Sequence, residues 1–582
     1  MTAEMQLLES LELIGPGQWL DRPVVDQTLQ LRQTELNYLA AEALHCHQQL
    51  LALLGSSGVT NGADRLSAPG TLQSDPAQST ALLAGTWLAE LGVILQRWSG
   101  HRVSWTNAKV LDSADENAGQ SATVRIQFEI EDHSIAGATA EFALLLLNLA
   151  LDPDREPGAD SGQDARAALI ASLHPRLAAY RETAAARVLP WDAEILIAAA
   201  EARDIPVCKL DREPYEPIVG DFRLRQNGLL RFGHACNQRV VDGTLCLERS
   251  SGILPQLGTR LQMLQALRAA GAPVTRFGGS EGGKLYRCFC AGQQLAAVLD
   301  AAGNDVSDLC HVSILEYAAG IAQQIPAGLM VLEFICRDIK LSLEQAGGAF
   351  SGLDISPQLD RLLPAGGDLH RLLAGDFVDW LFPDGQPSRI PLFSVTGTNG
   401  KTTTCRMLAR IATEAGFRVG MACTDGIYLN NQLVDSGDSG GRDGHHRVLE
   451  SREINFAVLE TARGAVLHSG FSFDHSDVAI CTNVTPEHLG EYGIHTTEQM
   501  SAIKRLIVSK ARTAAVLNFD DLQSRSIPDS LSVPRLCWTS SLHQPSEIFA
   551  AGLRADRIVF IDQQQGRDWI MCRNDGTTEA LV

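Results

Sequence analysis

Residues 390–404 read IPLFSVTGTNGKTTT, a short apolar run followed by a loop rich in glycine and threonine. The run has the composition of a buried parallel strand. A helix-like segment follows at 405–415 and ends at Gly416. This order predicts a phosphate-binding loop, because glycines let backbone N–H groups approach phosphate oxygens and a helix N-terminus favours negative charge. The alternative is a strand-to-helix turn that binds no ligand.

Two side chains of this loop suit ATP and Mg²⁺. Lys401 can reach the outer phosphates, and the hydroxyl of Thr402 can join the ligands of a magnesium ion. The loop is shorter than the general GxxxxGK[ST] pattern, because Val395 stands where the first glycine is expected. The residues expected to contact nucleotide are Thr396, Gly397, Thr398, Asn399, Gly400, Lys401, Thr402 and Thr403 of the loop, together with Asn483.

Two further apolar runs end in polar residues. The run at 456–459 leads into Glu460, and the run at 478–481 leads into Asn483 and His488. Strand ends lie at the carboxyl edge of a parallel sheet, where α/β proteins bind ligands. The C-terminal part is therefore predicted to be a parallel α/β sheet with these side chains beside the loop.

The loop and the strand ends together resemble the Mur ligases, which are ATP-dependent carboxylate–amine ligases. The resemblance implies that Thr402, Glu460 and His488 hold Mg²⁺. Before the histidine the family more often has Asp, and this chain has Glu487. Lys504 matches a lysine that is carbamylated in several Mur ligases. The alternative interpretation is that Lys504 is a solvent-exposed residue of a helix. Residues 513–521 resemble the LNxDD turn that follows the next strand of these enzymes.

The phrase LETARG at 459–464 and the segment TDGIY at 424–428 are more specific. They resemble the Mur-like part of cyanophycin synthetase, which builds an aspartate backbone with arginine on each side-chain carboxylate. The resemblance implies ATP and Mg²⁺ as cofactors and an aspartate/arginine polymer as substrate. The residues implied to be catalytic are Lys401, Glu460, Arg463, His488 and Lys504.

The resemblance extends over three predicted units. These are an α+β N-terminal domain at 1–160, a reduced ATP-grasp-like α/β domain at 165–387, and a Mur-ligase-like P-loop domain at 388–582. In the first unit Thr86, Ala89 and Glu90 stand in the key places of a metal-binding helix. A hydrolytic metal site is therefore not expected there.

Several departures from the family concern the second and third units. Only nine residues separate Val274 from Lys284, which leaves no room for the subdomain that grips ATP. Gly352 stands where the family has a metal-binding carboxylate, so Glu333 would act alone. We expect the second unit to be an inactive remnant. After Asp521 too few residues are expected to remain for the closing lobe of a Mur ligase, so ligation by this polypeptide alone is in doubt.

The amino-acid composition limits the kinds of partner and compartment that are expected for this chain. The chain of 582 residues has 48 Lys and Arg against 69 Asp and Glu, a net charge of −21, which argues against nucleic-acid binding. The 13 cysteines contain no CxxC pair, which favours a reducing compartment. The longest apolar stretch, 142–151, is too short for a membrane span. A cytoplasmic protein without nucleic-acid or membrane partners is expected.

Two functions from different classes stay open. One is an ATP-dependent ligase that joins arginine to the aspartate side chains of a polymer. The other is a non-catalytic ATP-binding paralogue that assembles with, or regulates, a full-length cyanophycin synthetase. A homo-oligomer and a complex with that synthetase are the candidate assemblies.

Overall fold

The computed structural model describes most of the chain in separate stretches. They are 6–16, 23–31, 76–99, 106–112, 122–130, 135–150, 175–185, 187–210, 229–250, 259–275, 282–325, 327–363, 368–487, 489–490, 494–564, 567–574 and 576–581, with a few isolated positions. His488 lies outside the described residues. None of the described helices is both long and apolar enough to cross a lipid bilayer. The described cysteines are free thiols.

The N-terminal part combines one antiparallel sheet with helices. Its strands, in the order β1-β2-β4-β3, are β1 (Gln6–Pro16), β2 (Pro23–Leu31), β3 (Thr106–Asp112) and β4 (Ala122–Glu129). Helices α1 (Pro76–Trp98) and α2 (Ala136–Ala150) pack with it. Gly85 allows close contact between α1 and β4, since a Cβ there would lie 2.5 Å from a methyl of Val124. Buried side chains at 173–184 belong to the same core.

The middle part contains two four-stranded antiparallel sheets. The first, in sequence order, has β5 (Val207–Lys209), β6 (Leu229–Phe232), β7 (Arg239–Asp242) and β8 (Leu245–Cys246). The second, in the order β10-β9-β11-β12, has β9 (Lys284–Ala291), β10 (Gln294–Asp300), β11 (Leu329–Cys336) and β12 (Ala349–Asp354). The helices are α3 (Trp191–Glu201), α4 (Leu247–Ser250), α5 (Arg260–Ala269), α6 (Val312–Gln324), α7 (Leu359–Leu362) and α8 (Leu369–Leu381).

Strands β11 and β12 bring together the two positions that the sequence analysis compared with metal ligands. Glu333 pairs with Gly352 across the two strands, and a Cβ on residue 352 would lie 3.2 Å from Glu333 Oε2. Arg287 Nε donates to Glu333 Oε1 over 3.1 Å. The single carboxylate of this position is therefore neutralised by a cation of its own sheet. Inactivity of the middle unit stays a prediction.

The C-terminal part is built on an 11-stranded sheet with the order β16-β15-β14-β17-β13-β18-β19-β20-β21-β22-β23. Its strands are β13 (Leu392–Thr396), β14 (Val419–Cys423), β15 (Gly426–Leu429), β16 (Gln432–Ser436), β17 (Phe456–Glu460), β18 (Ser476–Cys481), β19 (Ala511–Asn518), β20 (Arg535–Ser540), β21 (Arg557–Gln564), β22 (Arg567–Asn574) and β23 (Thr577–Ala580). The helices are α9 (Lys401–Glu414), α10 (Arg442–Leu449), α11 (Arg463–Ser469), α12 (Thr497–Ser509) and α13 (Pro545–Ala550).

The prediction of a parallel sheet is correct for its centre and wrong for its edges. The strands from β14 to β21 in this order run parallel, whereas β15, β16, β22 and β23 pair antiparallel. Asn430 and Asn431, with φ of +50° and +67°, join β15 to β16. Two consecutive positive φ values are typical of a type I′ hairpin turn, which can join only antiparallel strands.

Helices cover both faces of the central strands. Along β17, Phe456 and Val458 pack with the buried side chains of α9, whereas Ala457 and Leu459 pack with those of α10. Because successive side chains of a strand point to opposite faces, α9 and α10 lie on opposite sides of the sheet. This burial fixes the carboxyl ends of β13, β17 and β18 beside the first turn of α9.

Candidate functional site

The loop between β13 and α9 has the backbone that its glycines predict. Gly397 has φ of +144° and Gly400 has φ of +82°, both in the region that favours glycine. A Cβ on residue 397 would lie 1.9 Å from Thr482 Oγ1, so the loop passes directly against the end of β18. The first bond of α9 runs from Thr404 N to Gly400 O. The N–H groups before it stand at the positive end of the helix dipole. The strand–loop–helix prediction is confirmed.

Asn483, at the end of β18, holds this loop in place. Its Oδ1 accepts from the backbone N–H groups of Thr398 and Asn399 over 3.1 and 2.9 Å. Its Nδ2 donates to the carbonyl of Asn399 over 3.2 Å. The side chain predicted to contact nucleotide therefore bonds to the loop itself.

A buried carboxylate lies at the end of the neighbouring strand β17. Glu460 is 1% exposed, and its Oε2 accepts from the hydroxyl of Thr402 over 2.8 Å. Lys401 Nζ lies 3.9 Å from Glu460 Oε1 and donates to the carbonyl of Thr398 over 2.9 Å. The structure thus brings Lys401, Thr402 and Glu460 together, as the sequence predicts.

Sequence reasoning missed Thr424, whose hydroxyl donates to Glu460 Oε1 over 2.8 Å and whose N–H donates to Oε2 over 3.2 Å. It follows β14, the next parallel strand, so its position just after an apolar run was the available signal. Behind the carboxylate, His445 Nε2 lies 2.8 Å from the backbone carbonyl of Glu460. Burial lowers the pKa of His445 to about 4, so this imidazole is neutral near pH 7. The neutral ring donates to the carbonyl and adds no charge to the site.

This set of groups fits a magnesium ion bound together with phosphates. Mg²⁺ is usually held by one or two carboxylates, water and substrate phosphates rather than by a full protein cage. Glu460 and the hydroxyl of Thr402 are oxygen donors at the correct end of the loop. Among the described residues there is no group of three or more His, Cys, Asp or Glu side chains that could hold a metal by itself.

Lys504 reaches the site from α12 and is 2% exposed. Its Nζ donates to the hydroxyl of Thr398 over 2.8 Å and to the carbonyl of Asn483 over 3.2 Å. Burial, and then the charges of Lys401 and Arg463, lower the pKa of Lys504 to about 8. The alternative of a solvated helix residue is wrong, because the apolar face of α12 packs on the sheet and carries Lys504 inward.

A cleft of about 530 Å³ adjoins the loop on one face of the sheet. Thr404, Thr482 and Asn518 line its loop end, and Val559 and Ile570 line its far end. Asp520, also in the lining, accepts hydrogen bonds from Ser541 N and Oγ over 2.7 and 2.8 Å. The 513–521 turn that resembles LNxDD therefore lies against an open, largely apolar space next to the phosphate loop.

The remaining predicted residues occupy different positions. Thr396 is 1% exposed, and its buried hydroxyl has no hydrogen-bond partner among the described residues. Thr403 lies exposed in the first turn of α9. Arg463 begins α11, three residues after Glu460, and its charge acts on Lys504. His488 cannot be placed, since it lies outside the described residues.

Comparisons with known proteins agree on this part of the chain. Residues 395–561 match the family model of the Mur ligase middle domain. Over 219 residues the chain is 37% identical to cyanophycin synthetase of Synechocystis sp. and 38% identical to that of Crocosphaera subtropica. Each alignment covers 37% of this chain and 25% of the relative, so the chain matches about a quarter of those enzymes. The resemblance to cyanophycin synthetases and Mur ligases is thus confirmed for about a third of the chain.

Two further matches are to a ligase of a different name. The chain is 29% identical over 181 residues to the UDP-N-acetylmuramoyl-L-alanyl-D-glutamate–2,6-diaminopimelate ligase of Geobacillus thermodenitrificans, covering 28% of this chain and 36% of that one. A solved structure of an enzyme with this name aligns with a TM-score of 0.27 and 19% identity, over 35% of this chain and 41% of that chain.

Proposed function

We propose that the C-terminal unit binds Mg-ATP and activates a carboxylate for ligation to an amine. The observation that carries the proposal is the buried Glu460 carboxylate, bonded to Thr402 and placed 3.9 Å from Lys401 at the start of a phosphate loop. Burying a carboxylate costs free energy unless the charge has partners. Here the partners are Lys401 and Thr402, the two loop residues that are proposed to hold phosphate and metal.

In this proposal each group has one task. Lys401 and the N–H groups at the start of α9 hold the phosphates, and Glu460 with Thr402 holds Mg²⁺. The cleft beside Asn518 takes the nucleoside. Mg-ATP, when bound, would supply the phosphoryl group that converts a carboxylate into an acyl phosphate with release of ADP, and an amine would then displace phosphate to form the amide.

The nature of the substrates is inferred from the relatives. Over 219 residues this chain is 37% and 38% identical to two cyanophycin synthetases, so the carboxylate is proposed to be an aspartate side chain of a polymer and the amine to be arginine. The free thiols support a reducing, cytoplasmic setting for this reaction.

Lys504 is proposed to be a carbamylation site. With a pKa of about 8 it is partly neutral at physiological pH, and only the neutral amine attacks carbon dioxide. The ammonium first loses one proton, and attack of the neutral amine on carbon dioxide then forms the N–C bond and releases a second, so a buried cation becomes an anion. The nitrogen that would carry the carbamate lies 2.8 Å from the hydroxyl of Thr398, at the base of the phosphate loop.

Trapping the acyl phosphate tests the activation step without the second half-reaction. The full chain is incubated with Mg-ATP, an aspartate polymer and hydroxylamine, and the polymer hydroxamate is measured. We expect hydroxamate from the wild type and at least a 100-fold loss in Glu460→Gln, which keeps the shape but loses the charge. Arg447→Gln, an exposed substitution on α10, is the matched control. Absence of hydroxamate from the wild type under saturating ATP would overturn catalysis by this chain.

The non-catalytic alternative is favoured by one observation in the middle unit. Glu333 is paired with Arg287 and faces Gly352, so this position lacks the second carboxylate that an aspartate-adding unit needs. A non-catalytic chain would instead bind ATP and assemble with, or regulate, a full-length synthetase. Arginine incorporation is therefore measured for the chain alone, for the synthetase alone and for the mixture. A changed rate in the mixture that persists with Glu460→Gln would favour the non-catalytic alternative, and a gain in the mixture that is lost with Glu460→Gln would favour catalysis by this chain.

A further inference from the structure

A second cavity, of about 340 Å³, lies at the junction of the middle and C-terminal parts. Lys209 of β5 and Arg231 of β6 line it from one side, and Arg442 and His446 of α10 line it from the other. Asp474, also in the lining, precedes β18. Because the phosphate loop lies at the carboxyl ends of these parallel strands, this cavity opens at the opposite edge of the sheet.

The junction around the cavity is held by polar contacts between the two parts. Arg389 donates to both oxygens of Asp474 over 2.8 and 2.5 Å and to Asp204 Oδ1 over 3.0 Å. Gln238 Nε2 donates to the carbonyl of Glu450 over 2.7 Å. The cavity walls are therefore fixed relative to each other, as a preformed binding site requires.

Positive charge exceeds negative charge around this space. Among the described residues, the cations are Lys209, Arg231, Arg389 and Arg442, and the carboxylates are Asp204, Asp474 and Glu450. Asp474 is already engaged by Arg389, and Glu450 lies 3.7 Å from the buried Arg231. Four cations against three carboxylates leave an excess of one positive charge, and a partly buried excess of this kind attracts anions.

Two histidines show the effect of that field. Burial, and then the charge of Arg231, lower the pKa of His234 to about 3. Burial, and then the charges of Arg442 and Arg231, lower the pKa of His446 to about 3. Both imidazoles are neutral near pH 7, so they offer hydrogen bonds to a ligand without adding to the repulsion among the cations.

We propose that this junction cavity binds a small multivalent oxyanion, with carboxylate or phosphate groups, that bridges Lys209 of the middle part and Arg442 of the C-terminal part. Guanidinium groups pair with both kinds of oxyanion through two parallel hydrogen bonds. The volume suits a compact ligand rather than a polymer segment. Such a ligand ties the two parts together, so it stabilises the chain on binding. The proposal does not depend on the activity of the phosphate loop.

The test uses the full chain carrying Lys401→Ala, so that phosphate bound at the loop does not obscure the cavity. Inorganic phosphate, pyrophosphate and citrate are titrated by calorimetry, and thermal unfolding is followed in parallel. We expect one site, at least tenfold weaker in Lys209→Gln/Arg442→Gln. Arg447→Gln lies on the same helix near Asp435 and is absent from the cavity lining, so its affinity should stay within twofold.

The order of affinity among the three anions shows which class of ligand the cavity prefers. Tighter binding of phosphate and pyrophosphate indicates a phosphorylated ligand, and tighter binding of citrate indicates a polycarboxylate. The proposal is overturned if no anion binds at millimolar concentration, or if binding is unchanged in Lys209→Gln/Arg442→Gln. Loss of Mg-ATP binding in the wild type would count against the proposed function and leave this result unaffected.

Discussion

Replacing Asn483 with alanine should weaken Mg-ATP binding by loosening the phosphate loop. The substitution removes three hydrogen bonds of 2.9–3.2 Å between this side chain and the backbone of Thr398 and Asn399. The side chain of Asn483 bonds to the loop backbone, so the effect acts through loop geometry. Asn483 is therefore a positioning residue in this account.

The size of the loss in Mg-ATP affinity depends on which backbone groups keep a hydrogen-bond partner in Asn483→Ala. Thr398 N still bonds to the carbonyl of Asn483 over 3.0 Å, and the carbonyl of Asn399 still accepts from Thr482 Oγ1 over 2.6 Å. Only the N–H of Asn399 loses its bond outright. At about 1 kcal/mol net for the bond lost outright and about 0.5 kcal/mol for each of the two groups that keep a partner, the loop loses about 2 kcal/mol of the ordering that it needs for binding. That loss corresponds to a roughly 30-fold increase in Kd.

Calorimetric titration of the full chain with Mg-ATP measures this change. Asn455→Ala is the matched control, because Asn455 Oδ1 accepts from the backbone N–H of Arg418 at the amino end of β17, away from the loop. The control should lose stability but keep its affinity for Mg-ATP. An Asn483→Ala variant that binds Mg-ATP within threefold of the wild type would refute the reasoning.

Two predictions concern stability. Lys504 has a pKa of about 8 in the folded chain against an ordinary value of 10.5, so the unfolded chain binds more protons between pH 8 and 10.5 and the free energy of unfolding rises with pH in that window. Urea unfolding in carbonate-free buffer should show a rise of roughly 3 kcal/mol that is absent in Lys504→Met. An equal dependence of the free energy of unfolding on pH in both proteins would contradict the burial argument. Gly397→Ala places a Cβ against Thr482 at a φ of +144° and should lower the free energy of unfolding, measured with urea, by about 3 kcal/mol. Gly416→Ala, with φ of +89° and open space around the glycine, should lower it by about 1 kcal/mol. Similar losses in the two variants would show that the loop does not pass so closely to the end of β18.

The sequence predicted the centre of the site because the signals there are local. The apolar run before the loop, the glycines at 397 and 400 and the helix after them are determined within a few residues of each other. The carboxyl end of an apolar run likewise locates Glu460 without knowledge of the fold.

The rest of the site depends on contacts between distant segments. Thr424 reaches Glu460 only because β14 lies beside β17, and Asn483 bonds to the loop only because β18 lies beside β13. The burial of Lys504 depends on how α12 packs, since its neighbours in sequence are equally compatible with a solvated helix. Residues 209 and 442 both line the junction cavity, and because they are far apart in sequence no local pattern could predict that they lie close together.

The central claim is that the carboxyl edge of the large sheet is the Mg-ATP site of this chain. Calorimetric titration of the full chain with ATP, with Mg²⁺ and with EDTA, tests it most directly. The account predicts one site per chain in the presence of Mg²⁺, lost in Lys401→Ala, because the middle unit is predicted to bind no ATP. Absence of Mg-ATP binding in the wild type, or undiminished binding in Lys401→Ala, would contradict it.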